Sequence, residues 1–428
     1  MNKLFKNDVY IKLGIILVGL LLYFVGFYFK EFSPSGSQSD FKVFVFKNIQ
    51  FFRDDLISSI QNYGKLGDAN YPFFYIFHAY LNPFSYDPDT YLFSTFSIGL
   101  LTFFFFFLSL KNLNFKQIDA LTLSSLLLYL PWFSGRAFWG TASNLAWFFF
   151  LISILIFIKF KELGSNDNIL KKIKITFLLC LFSSLTLYVK PIFIFFVIYI
   201  IYYNFINKKF IYLRSIFSFY LFFSIPIFLL IFYWGGIYDH TNSSIVNDIF
   251  NYKNILNNIP IIFSYFFFYL WPFFILKLIE EKKKDIIDFL KIFLIFFITL
   301  IILDFSNNLN YLKEYKLGGG AFIKLGYYLN DKYNIIFFTS SSFGFCFVVN
   351  YLKEKFLNNL GVIILVLIFF GIPKFLYQDY FEPLIIILAF TKILNSNFNI
   401  NSEKKNFLRL ILIYGFFFFL YNQILFFN

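Results

Sequence analysis

The chain has 428 residues, of which 59% are hydrophobic and only 14% charged, with 74 Phe and 31 Tyr. A soluble domain carries about a quarter charged residues, so this composition cannot cover a water-facing surface. It excludes a soluble enzyme, a secreted disulfide scaffold and a disordered chain, and it points to an all-α polytopic membrane protein. Phe, Ile, Asn, Lys and Tyr are the residues of AT-rich codons, and the Phe surplus reads as codon bias expressed at lipid-facing and core positions. The net charge of +13 has to be located along the chain before it is assigned to any partner.

The N-terminus, with Lys3, Lys6 and Lys12 ahead of an apolar run from Leu13 to Phe29, has the charge order of a signal peptide. The run is too long for one, and no small-residue cleavage site follows, so it is expected to be a retained first span. Further apolar runs of membrane-crossing character follow at 92–110, 120–133, 144–160, 175–189, 191–206, 215–234, 260–277, 288–304, 334–351, 360–376, 383–396 and 410–427. With the first run, at 11–29, they make about 13 transmembrane helices, 11–13 when short runs are discounted. The run at 120–133 and the pair interrupted by Val189-Lys190-Pro191 have the character of tilted, broken or re-entrant segments.

With a cytoplasmic N-terminus and alternating sides, most of the 37 basic residues fall on cytoplasmic connections. Lys171, Lys172 and Lys174 lie on one such connection, Lys282, Lys283 and Lys284 on another, and Lys404, Lys405 and Arg409 on a third. The remaining face is nearly neutral. The basic surplus is thus a topology signal and no nucleic-acid footprint. Long outer segments at 30–91, 235–259 and 305–333 mark the face where chemistry is expected. Cys180 and Cys346 stand alone in apolar runs, and His78 and His240 are the two histidines, so a multi-His metal centre is not expected.

The first outer segment is the most informative. After Glu31-Phe32-Ser33-Pro34-Ser35-Gly36 the turn ends in Asp40. Phe41, Val45, Ile49, Phe52, Leu56 and Ile60 then recur at helical spacing. That stripe predicts an interfacial helix with its apolar side down. Asp68-Ala69-Asn70-Tyr71-Pro72-Phe73-Phe74 brings the chain back to apolar surroundings, and Tyr86-Asp87-Pro88-Asp89 opens the second span.

This order resembles the membrane-embedded GT-C glycosyltransferases, which use polyprenyl-phosphate-linked sugars. Their catalytic Asp or Glu sits in the first outer loop soon after the first span, the position Asp40 matches. The stretch from Asp68 to Phe74, with Asp68 and Tyr71, is similar to a Tyr-Pro motif of bacterial members. Leu130-Pro131-Trp132-Phe133-Ser134-Gly135-Arg136 resembles their Arg-bearing short outer loop. Thr186-Leu187-Tyr188-Val189-Lys190-Pro191 resembles their Lys-Pro hairpin, and Trp234-Gly235-Gly236 opens a loop as in several relatives. The resemblance covers residues 1–240 as a GT-C-like module, followed by variable helices over 241–428. It implies an inverting transfer of a hexosyl or pentosyl group from a polyprenyl-phosphate donor to a glycan, lipid or protein acceptor. The setting it implies is the outer face of a bacterial inner membrane. The family often shows a carboxylate pair in this loop. Here Asp40 stands alone, with Asp54-Asp55 and Asp87-Pro88-Asp89 as alternatives. No metal ligands are therefore assigned, and a divalent cation stays an open cofactor.

Such a transfer needs a base for the acceptor proton and cations for the leaving phosphate. Asp40 is the candidate base. Arg136, Lys190, Lys324 and Lys374 are candidate phosphate ligands, with Arg136 favoured because a guanidinium grips phosphate oxygens with two donors. Asp239 and His240 form a candidate sugar-orienting pair. Gly318-Gly319-Gly320 lacks the following Lys and Ser/Thr of a P-loop and reads as a hinge. Two other classes compete. A flippase or transporter of lipid-linked glycans would use polar residues within spans, and Thr339-Ser340-Ser341-Ser342 is the one such stretch, equally readable as small-residue helix packing. A polysaccharide polymerase would share the lipid-linked substrate. An acyltransferase, which relies on histidine, ranks lower.

Overall fold

The computed structural model describes residues 2–31, 36–66, 71–164, 167–235, 252–280, 283–303, 320–352, 356–373, 376, 378–391 and 404–426. Among them the chain is all-helical, with no strand. Six helical stretches are long and apolar enough to cross a membrane: Asp8–Tyr28, Pro88–Asn112, Ala142–Lys161, Ile169–Val189, Tyr212–Trp234 and Asn254–Phe273. Shorter apolar helices cover Pro191–Ile206, Ile335–Val349, Asn359–Gly371 and Leu408–Asn422. The chain divides into two compact units, 1–246 with 415–428, and 247–414.

The first unit opens with α1 (Asn2–Tyr28), then three short helices, α2 (Ser37–Asp40), α3 (Phe46–Asp54) and α4 (Leu56–Gln61). A wide turn over Phe41–Val45 joins α2 to α3. The stripe expected to face lipid is turned inward instead: Phe41, Val45, Ile49 and Phe52 are buried, while Val43, Phe44, Phe51 and Ile57 are exposed. Phe52 stacks on Tyr75 and Phe41 on Tyr91. The helical period was correct, but the surface covering the stripe is the protein itself.

The chain continues through α5 (Phe73–Ile76), α6 (Pro88–Asn112), α7 (Gln117–Ser125) and α8 (Pro131–Phe138). Asp87 caps α6 by accepting from Thr90 N, and Asp55 caps α4 by accepting from Ser58 N. The alternative carboxylates of the first segment are thus spent largely on helix starts. The run at 120–133 is broken: α7 tightens into a single turn over Leu126–Tyr129, extends at Leu130, and restarts as α8 with Pro131 in its first turn. Proline lacks the N–H an uninterrupted helix would need there. Both halves are buried. Beyond it lie α9 (Ala142–Lys161), α10 (Ile169–Val189), α11 (Ile194–Ile206) and α12 (Phe210–Trp234). The α10–α11 break falls at Lys190-Pro191, as the sequence suggested. At the end of α12 the Trp234 indole donates to Ile60 O and stacks on Tyr63 at 5.6 Å.

The second unit is organised along α13 (Tyr252–Glu280), accompanied by α14 (Lys283–Ile302), α15 (Gly320–Tyr328), α16 (Ile335–Leu352), α17 (Phe356–Gly371) and α18 (Glu382–Phe390). Helix α19 (Lys404–Phe426) ends the chain. Helix α16 lies close against α13. Ser341 donates to Pro260 O, and a β-carbon on Gly344 would collide with the Phe263 carbonyl. Ser340 and Ser342 bond their own helix. The serine stretch is therefore helix packing.

Between α17 and α18 the described residues run along α13. Asn254 donates to Ile372 O, Asn258 to Gly371 O and Pro373 O, Tyr265 to Leu376 O, and Tyr269 to the Glu382 carboxylate. From Asn254 to Tyr269 is about 22 Å of helix at 1.5 Å per residue. Each named carbonyl receives a side-chain donor, as a buried non-helical backbone requires. Gln378 sits at the foot of this arm, donating to Tyr269 Oη and accepting from Ala321 N at the start of α15. Gly320 belongs there because its φ is +78° and the Tyr265 ring fills the space of a β-carbon.

Gly344→Val should destabilise the protein by at least about 2 kcal/mol, since over-packing a tight contact costs that much even without a backbone collision. Gly14→Ala, where a β-carbon meets nothing within 4 Å, should leave stability unchanged. Thermal aggregation of the two variants in detergent checks both outcomes.

Candidate functional site

The residues singled out in the first unit converge on the stretch from Arg136 to Ser143. Leu130 is extended and Pro131 starts α8, which carries Arg136 in its last turn. After Trp139 the chain reverses at Gly140, with φ +59°. Tyr91 Oη donates to the Gly140 carbonyl at 2.5 Å, and a β-carbon on Gly140 would strike the Tyr91 ring. Thr141 N returns to Arg136 O at 3.2 Å, and α9 begins at the next residue. The reversal therefore sets the end of α8 beside the start of α9.

Onto this corner come two segments distant in sequence. Asp40, the last residue of α2, accepts from the Arg136 guanidinium at 3.2 Å. Arg136 is largely buried in this pair, while Asp40 keeps 45% of its side chain exposed. Lys190, at the break after α10, donates from Nζ to Ser143 Oγ at 2.5 Å. Lys190 thus reaches the first turn of a 20-residue helix, whose N-terminal N–H groups carry positive partial charge, and the Arg136–Asp40 pair stands on the short helix joined to it by the reversal at Gly140. Thr141 occupies the capping position without capping: its Oγ1 is buried with no hydrogen-bond partner, as is Asn144 Oδ1 one turn on. Asn144 uses its amide N–H to hold Thr95 O on α6. Buried polar atoms of this kind are exceptional in folded proteins, and these two belong to residues that flank Ser143, the partner of Lys190. The arrangement can bind an anion and, through Asp40, accept a proton.

The other expected residues distribute as follows. Tyr71 is buried beside Pro72 at the head of α5, and Phe73 packs on Tyr188, two residues before Lys190. Lys324 is exposed on α15 in the second unit. Asp68, Asp239, His240 and Lys374 lie outside the described residues. Among the described residues no three His, Cys, Asp or Glu side chains gather as metal ligands. Cys180 and Cys346 are both buried free thiols.

His78, one of the two histidines, is fully enclosed. Its ring meets Phe74, Phe77 and Tyr91, Nδ1 is 3.0 Å from Asn82 Nδ2, and burial holds its pKa down at about 3. It is a neutral structural imidazole.

Glu31 went unnoticed in the sequence. Three residues beyond α1, it is only 5% exposed. Its backbone is pinned at both ends, N–H to Gly26 O at 2.9 Å and carbonyl from the Trp139 indole at 3.1 Å. Burial pushes its carboxyl up to about 7. Arg53 was overlooked too: it lies 3.9 Å from the Tyr86 ring centre and donates to Ser85 O and Oγ, closing the first segment onto the start of α6. The signal for Glu31 was its place at the end of an apolar run, next to Lys30, which pairs with Asp89.

His78 gives a pH test of the fold around the corner. Its folded pKa lies below the unfolded value near 6.5, so the unfolded chain binds the extra proton first. The stabilising difference is complete above about 6.5 and is lost as pH falls toward 3. At pH 5 the expected loss is about 2 kcal/mol, from 1.36 kcal/mol per pKa unit. His78→Asn should flatten the fall in thermal stability between pH 6.5 and 5.

No protein-family model matches the chain, and neither the curated proteins nor the solved structures supplied a match.

Proposed function

We propose that the chain is an integral-membrane glycosyltransferase that moves a sugar from a polyprenyl-phosphate donor to an acceptor hydroxyl at the extracytoplasmic face. One observation carries this reading: Asp40 and Arg136 meet at 3.2 Å beside the α9 N-terminus that Lys190 also reaches. Three separate segments thus supply one carboxylate and two cations to one corner. In the reaction the acceptor oxygen bonds to the anomeric carbon, the carbon–phosphate oxygen bond breaks, and polyprenyl phosphate leaves with the electron pair. Asp40 takes the acceptor proton. Arg136, Lys190 and the first N–H groups of α9 answer the phosphate charge. An arriving phosphate competes with Asp40 for the guanidinium, which releases Asp40 to act as base when the donor is bound. A divalent cation, if used, would add to the phosphate side.

The second unit supports a second reading. A non-helical arm running along α13 to the buried Glu382 is the kind of helix discontinuity around which secondary transporters build substrate sites, and a lipid-linked glycan is the cargo this second reading assigns. Reconstituted vesicles separate the two readings: the transporter moves the lipid-linked sugar between leaflets and leaves it uncleaved.

Purified protein given a radiolabelled polyprenyl-phosphate sugar and a membrane-extract acceptor should release polyprenyl phosphate. Asp40→Asn should lower the rate by at least about 100-fold, the low end of general-base effects, with expression intact. Arg136→Lys should raise the KM for the donor while changing kcat less, because one ammonium replaces a two-donor grip. Full activity in Asp40→Asn would remove the base assignment.

A further inference from the structure

Glu31 is a buried ionisable group that the transfer reading leaves unused. It sits where α1 ends against α8. A β-carbon on Gly26 would lie 2.6 Å from Glu31 Oε2 and 2.8 Å from the Phe138 ring. The carboxyl and the ring therefore share the bare face of Gly26. Phe138 packs further on Tyr23 and Phe27 of α1. On the other side of the peptide, the Glu31 carbonyl holds the Trp139 indole. Glu31 is thus tied to Trp139, the residue after α8, and shares the Gly26 face with Phe138, the last residue of α8.

The charges of the surrounding elements are committed elsewhere. Lys30, after α1, pairs with Asp89 at the start of α6 at 3.7 Å, and Arg136 of α8 pairs with Asp40 of α2. Tyr91 of α6 gives its hydroxyl to Gly140. None of these groups contributes to the shift of the Glu31 carboxyl, which comes from burial alone.

We propose that Glu31 is a positioning residue whose neutral carboxylic acid seats the end of α8 against α1, and thereby fixes Arg136 in front of Asp40. Burial beside a phenyl ring disfavours a charged carboxylate relative to the neutral acid. On losing its proton it leaves toward water, and the Gly26–Phe138 contact opens. The direction of its shift puts this change near neutral pH. Arg136 would then be held on α8 with one fewer anchor. The proposal rests on the transfer reading only in what Arg136 is held for; the coupling itself does not.

Trp139 supplies the readout. In the intact detergent-purified protein, the Trp139 contribution to emission, taken as wild type minus Trp139→Phe, should shift between pH 5 and 9 with a midpoint near 7. Glu31→Gln keeps the size and neutrality of the acid and should show no such shift. Gly26→Ala should give the high-pH emission at every pH. A wild-type signal flat across the range, or the same transition in Glu31→Gln, overturns the proposal. Transfer is read separately. Glu31→Gln should retain activity at pH 8.5, with a ratio of rates at pH 8.5 and 6.5 at least about threefold above wild type. A lower or equal ratio beside an active wild type removes the link to Arg136. A wild type inactive at every pH overturns the glycosyl-transfer reading, while the emission still decides on Glu31.

Discussion

Taking a polar group out of water is costly unless another group answers it, and this constraint shapes every place where the chain departs from a plain apolar helix. The departures are costly because a bundle so rich in Phe and Ile offers few polar partners. Several of them, among the described residues, are met by a specific side chain. Pro131 ends one helix and begins another, and the reversal after α8 is held by the Tyr91 hydroxyl on Gly140. The arm before α18 gives up helical hydrogen bonds, and its carbonyls accept instead from Asn254, Asn258 and Tyr265. The break after α10 exposes Lys190, which finds Ser143. Where a backbone breaks, polar side chains must collect. The candidate chemistry of this chain stands at such breaks for that reason.

The same rule explains what the sequence could and could not reveal. Long apolar runs with polar ends specify themselves, because hydrogen bonding within one helix needs no distant residue. The first span, the helix from Pro88 and the helix from Ala142 were legible on that ground. The period of Phe41, Val45, Ile49 and Phe52 was legible as well, but periodicity names a face and says nothing of its cover. Tyr75, Tyr91 and Trp139 supply the cover, and they come from later parts of the chain. The arm along α13 was hidden more deeply. Its stretch after Gly371 reads as a short polar connection, and the asparagines and tyrosines that lower it into the bundle lie over a hundred residues earlier. Of the candidate site, Asp40, Arg136 and Lys190 were legible as individual residues. Their shared corner was not, because it depends on the positive φ of Gly140 and the helix start behind it.

Two carboxylates at the same corner show how environment divides roles between chemically similar groups. Asp40 is half exposed and paired with a guanidinium. Glu31 is enclosed, meets a phenyl ring and a glycine, and has its backbone rather than its carboxyl tied by an indole. Pairing favours the charged form and burial favours the neutral one. One acid is thereby prepared to exchange partners with an incoming anion, and the other to serve as an uncharged wedge. Both stand against α8, Asp40 through its pair with Arg136 and Glu31 beside the Gly26 face that Phe138 also lines. A helix of eight residues bounded by Pro131 and Gly140 has little stability of its own, so its position is decided by what it touches at each end. That makes the proton on Glu31 and the charge on Asp40 parts of one mechanical balance. It also gives a physical reason for a short, broken segment at this corner, where an unbroken span would have fixed Arg136 regardless of either acid.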